Sequence, residues 1–262
     1  MPGIPRYFSD HERDELERNP EFNRRGSKCP VCLGDGHYLL DGQRFECPDD
    51  DYGHPMLRLA KLYWLSWIPL QYQYLDWSEY PHAEAKEEID MYIENFRRIR
   101  LTGMGFTIYG KGLGVGKTWA ATHILRELVK QGHTGHFVQF LSTAGYYKLE
   151  DQAERQFFTK RVLESEVLVL DEVKPALSSA QRDFLEEKLE EIVRTRTNAN
   201  FPTIVTSNLT DREFEKEYPR VYSLLAAKNA PVELKGADAR RGDEIWQRVA
   251  GLAMKGESRP IT

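Results

Sequence analysis

The sequence predicts an α/β fold with a parallel sheet, preceded by a small cysteine-bearing module. Beyond residue 105, short apolar runs alternate with helix-length amphipathic stretches, which is typical of βαβ units around a parallel sheet. Nearer the N-terminus, all three cysteines fall within residues 29–47, which favours a metal site in a reducing compartment. We therefore divide the chain into a mobile arm (1–28), a cysteine-bearing module with a docking helix (29–67) and a larger α/β domain (68–262).

The α/β region contains four candidate strands and three candidate helices. The strands are predicted at 106–109, 136–141, 167–170 and 203–206. The helices are predicted near 117–131, 143–163 and 179–196, and the last begins with a capping-box pattern, Ser178 followed by Gln181. Upstream, 84–100 is predicted as an amphipathic helix, and 56–67 as the docking helix that ends before Pro69.

The composition excludes several classes of protein. Hydrophobic residues make up 40% of the chain and charged residues 29%, so a core can form and wholesale disorder is excluded. The net charge of -5 argues against a surface that coats nucleic acid indiscriminately. No apolar run approaches the ~18 residues of a membrane span, and the N-terminus is too charged for a signal peptide. We expect a soluble, cytoplasmic protein with no membrane partner.

The strongest chemical signal is residues 110–118, GKGLGVGKT, which lie between a predicted strand and a predicted helix. Glycines let consecutive backbone N–H groups turn toward a phosphate, and the helix N-terminus adds the positive end of its dipole. Lys117 would reach the β- and γ-phosphates of ATP, and the Thr118 hydroxyl would bind Mg²⁺. The usual G-x-x-x-x-G-K-[ST] pattern has glycine at 111, where this chain has lysine, so we expect a slightly altered loop path. The predicted nucleotide-binding residues here are Gly110, Lys111, Gly112, Leu113, Gly114, Val115, Gly116, Lys117, Thr118 and Trp119.

Two consecutive carboxylates end the apolar run 167–172, VLVLDE. A buried strand that delivers an acid beside a phosphate loop supplies a ligand that holds Mg²⁺ through water, and the next acid can polarise the attacking water. We assign Asp171 to Mg²⁺ and Glu172 to the role of general base.

A third polar strand end follows the run 202–208, PTIVTSN. If this strand lies between the strands that carry the loop and Asp171, Asn208 can hydrogen-bond toward the γ-phosphate and orient the attacking water. The alternative is an ordinary turn asparagine before the helix that starts near Asp211.

Together these motifs resemble the AAA+ ATPases of the DnaC/DnaI helicase-loader family and their IstB transposition-helper relatives. The resemblance covers about residues 68–241 and includes the lead-in IPLQY at 68–72, the segment EYPRVYSLL at 217–225 and LKGADAR at 234–240. It implies an AAA+ three-layer domain that hydrolyses ATP, self-association through that domain, a hexameric replicative helicase as partner and single-stranded DNA as effector.

The resemblance also implies roles for two arginines. Arg220 matches an arginine that enters the nucleotide site of the neighbouring subunit and stabilises charge on the transferring phosphate. Where the family often has a second arginine, this chain has Leu224. Arg240 matches a sensor of the nucleotide bound to its own subunit. Surface arginines without nucleotide contact are the alternative for both.

The cysteines lie in the patterns CPVC at 29–32 and CPDDDYGH at 47–54. Two cysteines at C-x-x-C spacing form half of a tetrahedral zinc site, and a second turn should supply the rest. Cys29, Cys32 and Cys47 are the predicted ligands, with His54 favoured as the fourth and Asp50 or His37 as alternatives. Four protein ligands would make Zn²⁺ structural, in a hairpin that recognises a partner or nucleic acid.

Aromatic residues concentrate between positions 63 and 77, at Tyr63, Trp64, Trp67, Tyr72, Tyr74 and Trp77. Packing within the protein is the favoured interpretation, and stacking on single-stranded bases is the alternative.

The predicted function is ATP-dependent loading of a replicative helicase on single-stranded DNA. Three alternatives stay open: an IstB-like helper of transposition that binds duplex DNA, a zinc adaptor whose nucleotide site is only a switch, and a small-molecule P-loop kinase. The pair Asp171 and Glu172 argues against the pure switch, and the polar strand end at Asn208 argues against the kinase.

Overall fold

The computed structural model describes residues 37–40, 43–46, 62–73, 75–112, 114–141, 151–176 and 178–236. Strands β1 (His37–Leu40) and β2 (Gln43–Glu46) form an antiparallel hairpin in which His37 pairs with Glu46. The hairpin lies where the sequence predicts one. Cys29, Cys32, Cys47 and His54 fall outside the described residues, so the zinc site stays a prediction. Within the part that is described, no group of three or more metal-binding side chains occurs.

Five parallel strands form the central sheet of the larger domain. They are β3 (Gly105–Tyr109), β4 (Gly135–Gln139), β5 (Val167–Val173), β6 (Thr203–Ser207) and β7 (Asn229–Glu233). Their order across the sheet is β4-β5-β6-β3-β7. The four predicted strands are confirmed, although β4 ends before Leu141 and β5 continues to Val173. Strand β7 was not predicted, because its sequence is short and contains Pro231, which is tolerated at a sheet edge.

Six helices pack around this sheet in the described part. They are α1 (Ala83–Ile99), α2 (Lys117–Lys130), α3 (Gln152–Glu164), α4 (Ser179–Asn198), α5 (Asp211–Glu217) and α6 (Pro219–Ala226). A single helical turn at Leu70–Gln73 precedes them. The side chain of Ser178 caps α4 by accepting a hydrogen bond from the Gln181 amide, as its sequence predicts. Helix α3 begins at Gln152, and residues 143–150 of its predicted range lie outside the described part. None of the described helices is long and apolar enough to cross a membrane.

Successive side chains of a strand point to opposite faces of the sheet, so the sheet has a core on each face and lies between two layers of helices. Phe106 and Ile108 of β3 pack with α1 and α2 in one core, and Tyr109 of the same strand packs with α5 and α6 in the other. On β5, Val167 and Val169 face the first core, whereas Leu168 and Leu170 belong to the second. Because both faces of the sheet are covered, the central strand β5 begins with an almost wholly apolar run, which is the pattern that predicted it.

The aromatic segment at 63–73 and 75–82, called the lead-in from here on, packs against the protein, in agreement with the favoured interpretation. The ring of Trp77 stacks on His123 of α2 at a centroid distance of 3.9 Å, and Trp67 stacks on Phe158 of α3 at 5.7 Å. The guanidinium of Arg126 donates to the backbone carbonyls of Tyr72 and Leu75. These contacts fasten the lead-in along α2, the helix that follows the phosphate loop.

His123 should make the domain sensitive to mild acid. Burial, reinforced by the nearby charge of Arg126, lowers the pKa of His123 to about 3. The unfolded chain binds this proton near pH 6.5 and the folded chain does not, so stability present above that pH is lost as the pH falls. At pH 5 the loss is on the order of 2 kcal/mol. Urea unfolding at pH 7.5 and 5.0 measures it.

The matched variant is His123→Phe, which keeps a ring against Trp77 and removes the titration. We expect its loss of stability between the two pH values to be smaller than that of the wild type by about 2 kcal/mol. Equal losses in both proteins would contradict the assignment to His123.

Candidate nucleotide site

Most of the predicted chemical residues lie together at the carboxyl ends of the central strands. Strand β6 lies between β5 and β3, which was the condition for bringing Asn208 beside the phosphate loop. The Ser207 hydroxyl donates to the Val173 carbonyl at 2.6 Å, and the Ser207 carbonyl accepts the Gly110 amide at 3.2 Å. Ser207 therefore joins the end of β5 to the start of the loop, and Asn208 follows it directly.

The phosphate loop leads from Tyr109 at the end of β3 to Lys117, the first residue of α2. Gly116, the residue before the helix, has φ 96°, a left-handed conformation that favours glycine, and it makes no side-chain cap. Gly112 is required by close approach, because a Cβ there would lie 2.3 Å from a methyl carbon of Val115. The first N–H groups of α2 thus stand at the loop without a capping side chain, the arrangement that binds phosphate.

The lead-in supports this loop from outside. His82 Nε2 lies 2.7 Å from the carbonyl oxygen of Val115, and the Tyr80 hydroxyl lies 3.5 Å from the carbonyl oxygen of Gly116. Trp119 packs edge-on against Tyr80 with the ring centroids 5.4 Å apart. No sequence pattern predicted the roles of Tyr80 and His82, since their contact with the loop depends on the fold.

Lys117 lies along its own loop. Its ammonium donates to the carbonyls of Gly110 at 2.7 Å and Gly112 at 2.9 Å, and the residue is only 8% exposed. The loop thus holds a positive charge at its centre, where phosphate oxygens would meet it. Leu113 lies outside the described residues.

Asp171 is the central carboxylate of the site. It is 2% exposed, and its Oδ1 accepts hydrogen bonds from the hydroxyls of Thr118 at 3.0 Å and Thr206 at 2.6 Å. Burial raises the pKa of Asp171, although the two hydroxyls offset part of this effect. Thr206 was not assigned a role from the sequence, yet a polar residue within a buried apolar strand was the signal that could have found it.

The Thr118 and Asp171 side chains fit a magnesium ion. Mg²⁺ binds oxygen ligands, usually one or two from the protein, with waters and phosphates completing the shell. A carboxylate that is buried between two hydroxyls, with its charged form disfavoured by burial, is stabilised by a cation. These two residues would therefore hold the ion that accompanies a nucleotide.

Glu172 has an unusual backbone. Its φ is 59°, and the register of β5 against β6 shifts between Leu170 and Val173. The Glu172 amide donates to the Thr206 hydroxyl at 2.9 Å, which holds this bulge in place. A left-handed residue other than glycine costs about 1–3 kcal/mol, and such residues cluster at active sites. The Glu172 side chain is 39% exposed and pairs with Lys174 at 3.0 Å.

Lys111, the departure from the usual loop pattern, directs its ammonium to Glu213 of α5, 2.8 Å away. Mainly because of Lys111, the pKa of Glu213 falls to about 2. Glu213 also closes a capping box with Thr210 at the start of α5. The side chain at 111 thus links the phosphate loop to α5.

Arg220 lies apart from this group, near the start of α6. Its guanidinium pairs with Glu186 at 3.2 Å and Glu190 at 3.1 Å on α4, and its side chain is 55% exposed. Arg240 lies outside the described residues, so its sensor role stays a prediction.

Comparison with known proteins identifies the fold. No protein-family profile and no curated protein matches the chain. Among solved structures, the DnaC helicase loader matches with a TM-score of 0.55 and 25% sequence identity over 64% of this chain and 100% of its own. The α/β domain is DnaC-like and has an AAA+ fold. Two further solved structures are similar to this domain in fold.

DnaI has a TM-score of 0.52 at 19% identity, covering 66% of this chain and 94% of its own. The replication initiator DnaA, bound to AMPPCP and single-stranded DNA, has a TM-score of 0.50 at 19% identity, covering 65% of this chain and 51% of its own.

The buried Asp171 carboxylate should lower the thermal stability of the nucleotide-free DnaC-like domain. Because burial raises the pKa of Asp171, the folded protein binds this proton more tightly than the unfolded chain does, and stability is lost as the pH rises through that pKa. Asp171→Asn keeps an oxygen that can accept from Thr118 and Thr206. We expect its Tm at pH 7.5 to rise, because the asparagine carries no charge for burial to disfavour.

The same variant should lose the added stability that Mg²⁺ and ATP together give the wild type. Thermal unfolding with and without Mg-ATP measures both effects. A lower Tm for the nucleotide-free variant, or an undiminished response to Mg-ATP, would contradict the assigned role of Asp171.

Proposed function

We propose that this protein is an ATP-dependent helicase loader of the DnaC/DnaI type, which binds and hydrolyses ATP to control loading of a replicative helicase on single-stranded DNA. The observation that carries the proposal is the hydrogen bond of 3.0 Å between Thr118, at the end of the phosphate loop, and the buried Asp171. It occurs in a domain that is 25% identical to a helicase loader over the whole of that loader's chain.

ATP would be bound by the loop and the groups beside it. The Lys117 ammonium exchanges loop carbonyls for phosphate oxygens, which are stronger acceptors because they are charged. The amides at the start of α2 donate to the same phosphates. When bound with ATP, Mg²⁺ neutralises part of the phosphate charge, and Thr118 and Asp171 hold it in place. Tyr80 and His82 contact the loop carbonyls from outside, and Trp119 of α2 packs against Tyr80.

Hydrolysis would depend on Glu172 and Asn208. Glu172 accepts a hydrogen bond from the attacking water and draws its proton as the water oxygen bonds to the γ-phosphorus. The bond from that phosphorus to the bridging oxygen breaks, and ADP leaves with the electron pair. Asn208, directly after β6, orients the water by hydrogen bonding. The bulge at Glu172 supports this role, because bulges re-aim side chains next to active sites.

Arg220 would complete the site of a neighbouring subunit. Its exposed guanidinium already lies at the surface, so a second copy of the domain can meet it without rearrangement of the core. A cation that reaches the transferring phosphate from outside stabilises transition-state charge. Hydrolysis is therefore expected to need self-association, and an isolated subunit should bind ATP but turn it over slowly.

The helicase and DNA enter the proposal from the resemblance to the loaders. The N-terminal arm and its zinc-binding module would contact the hexameric helicase, whereas the AAA+ domain would respond to single-stranded DNA. Transposition assistance is left as an outcome of the test, since no feature of the described domain favours duplex DNA.

The test is ATP hydrolysis by the purified full chain alone and with single-stranded DNA, duplex DNA or a replicative helicase. The loader assignment predicts stimulation by the helicase or by single strands. Stimulation by duplex alone would transfer the assignment to a transposition helper. ATP binding with no turnover under any of these conditions would leave a nucleotide switch.

A further inference from the structure

Lys174 connects Glu172 to a second part of the domain. Its ammonium lies 3.0 Å from Oε2 of Glu172, and the two side chains are 40% and 39% exposed. Its backbone carbonyl accepts a hydrogen bond of 2.5 Å from the Tyr218 hydroxyl. Two residues further on, the Ala176 amide donates to Glu217 at 3.0 Å. The segment after β5 is thus attached to Glu172 at one end and to the junction between α5 and α6 at the other.

That junction carries Arg220. Tyr218 is fully buried, ends α5 and precedes α6, and Arg220 follows two residues later. Glu186 on α4 accepts the Arg220 backbone amide at 3.1 Å as well as its guanidinium. A displacement of Arg220 would therefore act on Tyr218 through one proline, and on Lys174 through the Tyr218 hydroxyl.

The ion pair interferes with the chemistry proposed for Glu172. A base that draws a proton from water needs a carboxylate oxygen open to that water. The Lys174 ammonium, held 3.0 Å from Oε2, occupies one of the two carboxylate oxygens and competes with water for it. Because both side chains are partly exposed, the pair is weak enough to break when its geometry changes.

We propose that Lys174 restrains Glu172 in the isolated subunit, and that engagement of Arg220 by a neighbouring subunit loosens this restraint through Tyr218. Lys174 is then a positioning residue that acts through Glu172. The hydrolysis site of each subunit would respond to whether the Arg220 of that subunit is bound by a neighbour. This inference rests on the proposed function, because it requires Glu172 to act in hydrolysis.

The first test replaces Lys174 with Met and measures ATP turnover at a protein concentration too low for self-association. Loss of the restraint should raise this basal turnover about threefold to fivefold, the change that one partly exposed ion pair can account for. Lys130→Met is the matched control, because it removes an ion pair with Glu127 at the far end of α2. The Tm of Lys174→Met should equal that of the wild type, which shows that the variant is folded. If its basal turnover is then unchanged or lower, Lys174 does not restrain Glu172.

The second test replaces Tyr218 with Phe, which removes only the hydroxyl and keeps the ring against Phe214. The ion pair remains, so basal turnover should stay at the wild-type level, while the increase on self-association falls by at least about half. Tyr222→Phe is the control, since it removes a hydrogen bond from α6 to Asp211 on α5 and leaves Lys174 untouched. An undiminished increase in Tyr218→Phe overturns the link between Lys174 and α6.

Glu172→Gln separates failure of the inference from failure of the proposed function. If that variant is inactive and Lys174→Met behaves as the wild type, the inference alone is wrong. If Glu172→Gln hydrolyses ATP at the wild-type rate, the catalytic role of Glu172 and the inference are both overturned. If the wild type has no turnover under any condition, the proposed hydrolysis is overturned as well.

Discussion

Replacing Glu172 with Gln is expected to lower kcat for ATP hydrolysis by about 10²–10⁴-fold, the contribution of a positioned general base. Glutamine matches the shape of glutamate and can adopt the same place after β5, but it cannot take a proton from water. ATP binding should change by less than about threefold, because Lys117, Thr118 and Asp171 are intact. Steady-state hydrolysis and equilibrium binding of ATP, measured on the same preparation, test the two halves of this expectation.

Glu164→Gln is the control for the loss of one negative charge. Glu164 is an exposed residue at the end of α3, and its replacement should leave kcat within about twofold, as expected of a surface substitution. If Glu172→Gln hydrolyses ATP at the rate of the control, another group is the base. If it loses ATP binding as well, Glu172 has a structural role in the site.

The largest effect on stability is expected at Arg196, whose side chain is 0% exposed. Its guanidinium donates to the carbonyls of Val162 at 3.0 Å, Ser165 at 2.9 Å and Pro202 at 2.8 Å. Its Nε donates to the Thr203 hydroxyl at 3.0 Å. One buried cation thus joins the end of α3, the C-terminal half of α4 and the start of β6. Burial lowers the pKa of Arg196 to about 9, so it stays charged at neutral pH.

Arg196→Met should lower the free energy of unfolding by about 3–5 kcal/mol. The methionine fills most of the volume but leaves several buried carbonyls without a donor, and each unsatisfied group costs about 1–3 kcal/mol. For a domain of this size the Tm should fall by roughly 10 °C or more. Urea unfolding or calorimetry on the wild type and the variant measures the loss.

Arg194→Met provides a matched control on the same helix. Arg194 is exposed and pairs with Glu190 at 2.6 Å, and such surface pairs contribute about 0–1 kcal/mol. A loss in Arg196→Met no larger than that of Arg194→Met would show that the carbonyls find other partners when the guanidinium is removed.

Much of the sheet was predictable because its strands are buried on both faces. In β5 and β6 an apolar run simply ends in polar residues, and that pattern fixes both the strand and the position of Asp171 or Asn208 at its carboxyl end. The predictions failed where burial is one-sided. Strand β7 lies at the edge and has a single buried residue, Val232, so its sequence lacks the apolar run.

The geometry of the candidate site was predictable where a sequence pattern implies one place in the fold. Glycines between a strand and a helix, and a carboxylate pair after an apolar strand, predict a loop and two acids at the carboxyl ends of the central strands, where the structure has them. The contacts of Lys174 with Glu172 and of Tyr218 with Lys174 were not predictable. Lysine and tyrosine have many uses, and the hydrogen bond from Tyr218 joins residues 44 positions apart in sequence. Only the folded chain brings them together.

The nucleotide site is tested most directly by equilibrium binding of ATP to the wild type and to Lys117→Ala in the presence of Mg²⁺. We expect saturable binding by the wild type and a Kd at least about 10- to 100-fold higher in the variant, the cost of losing charged hydrogen bonds to phosphate. Lys130→Ala, at the other end of α2, should bind as the wild type does. Equal affinity in Lys117→Ala and the wild type would contradict the assignment of residues 110–118 as the nucleotide site.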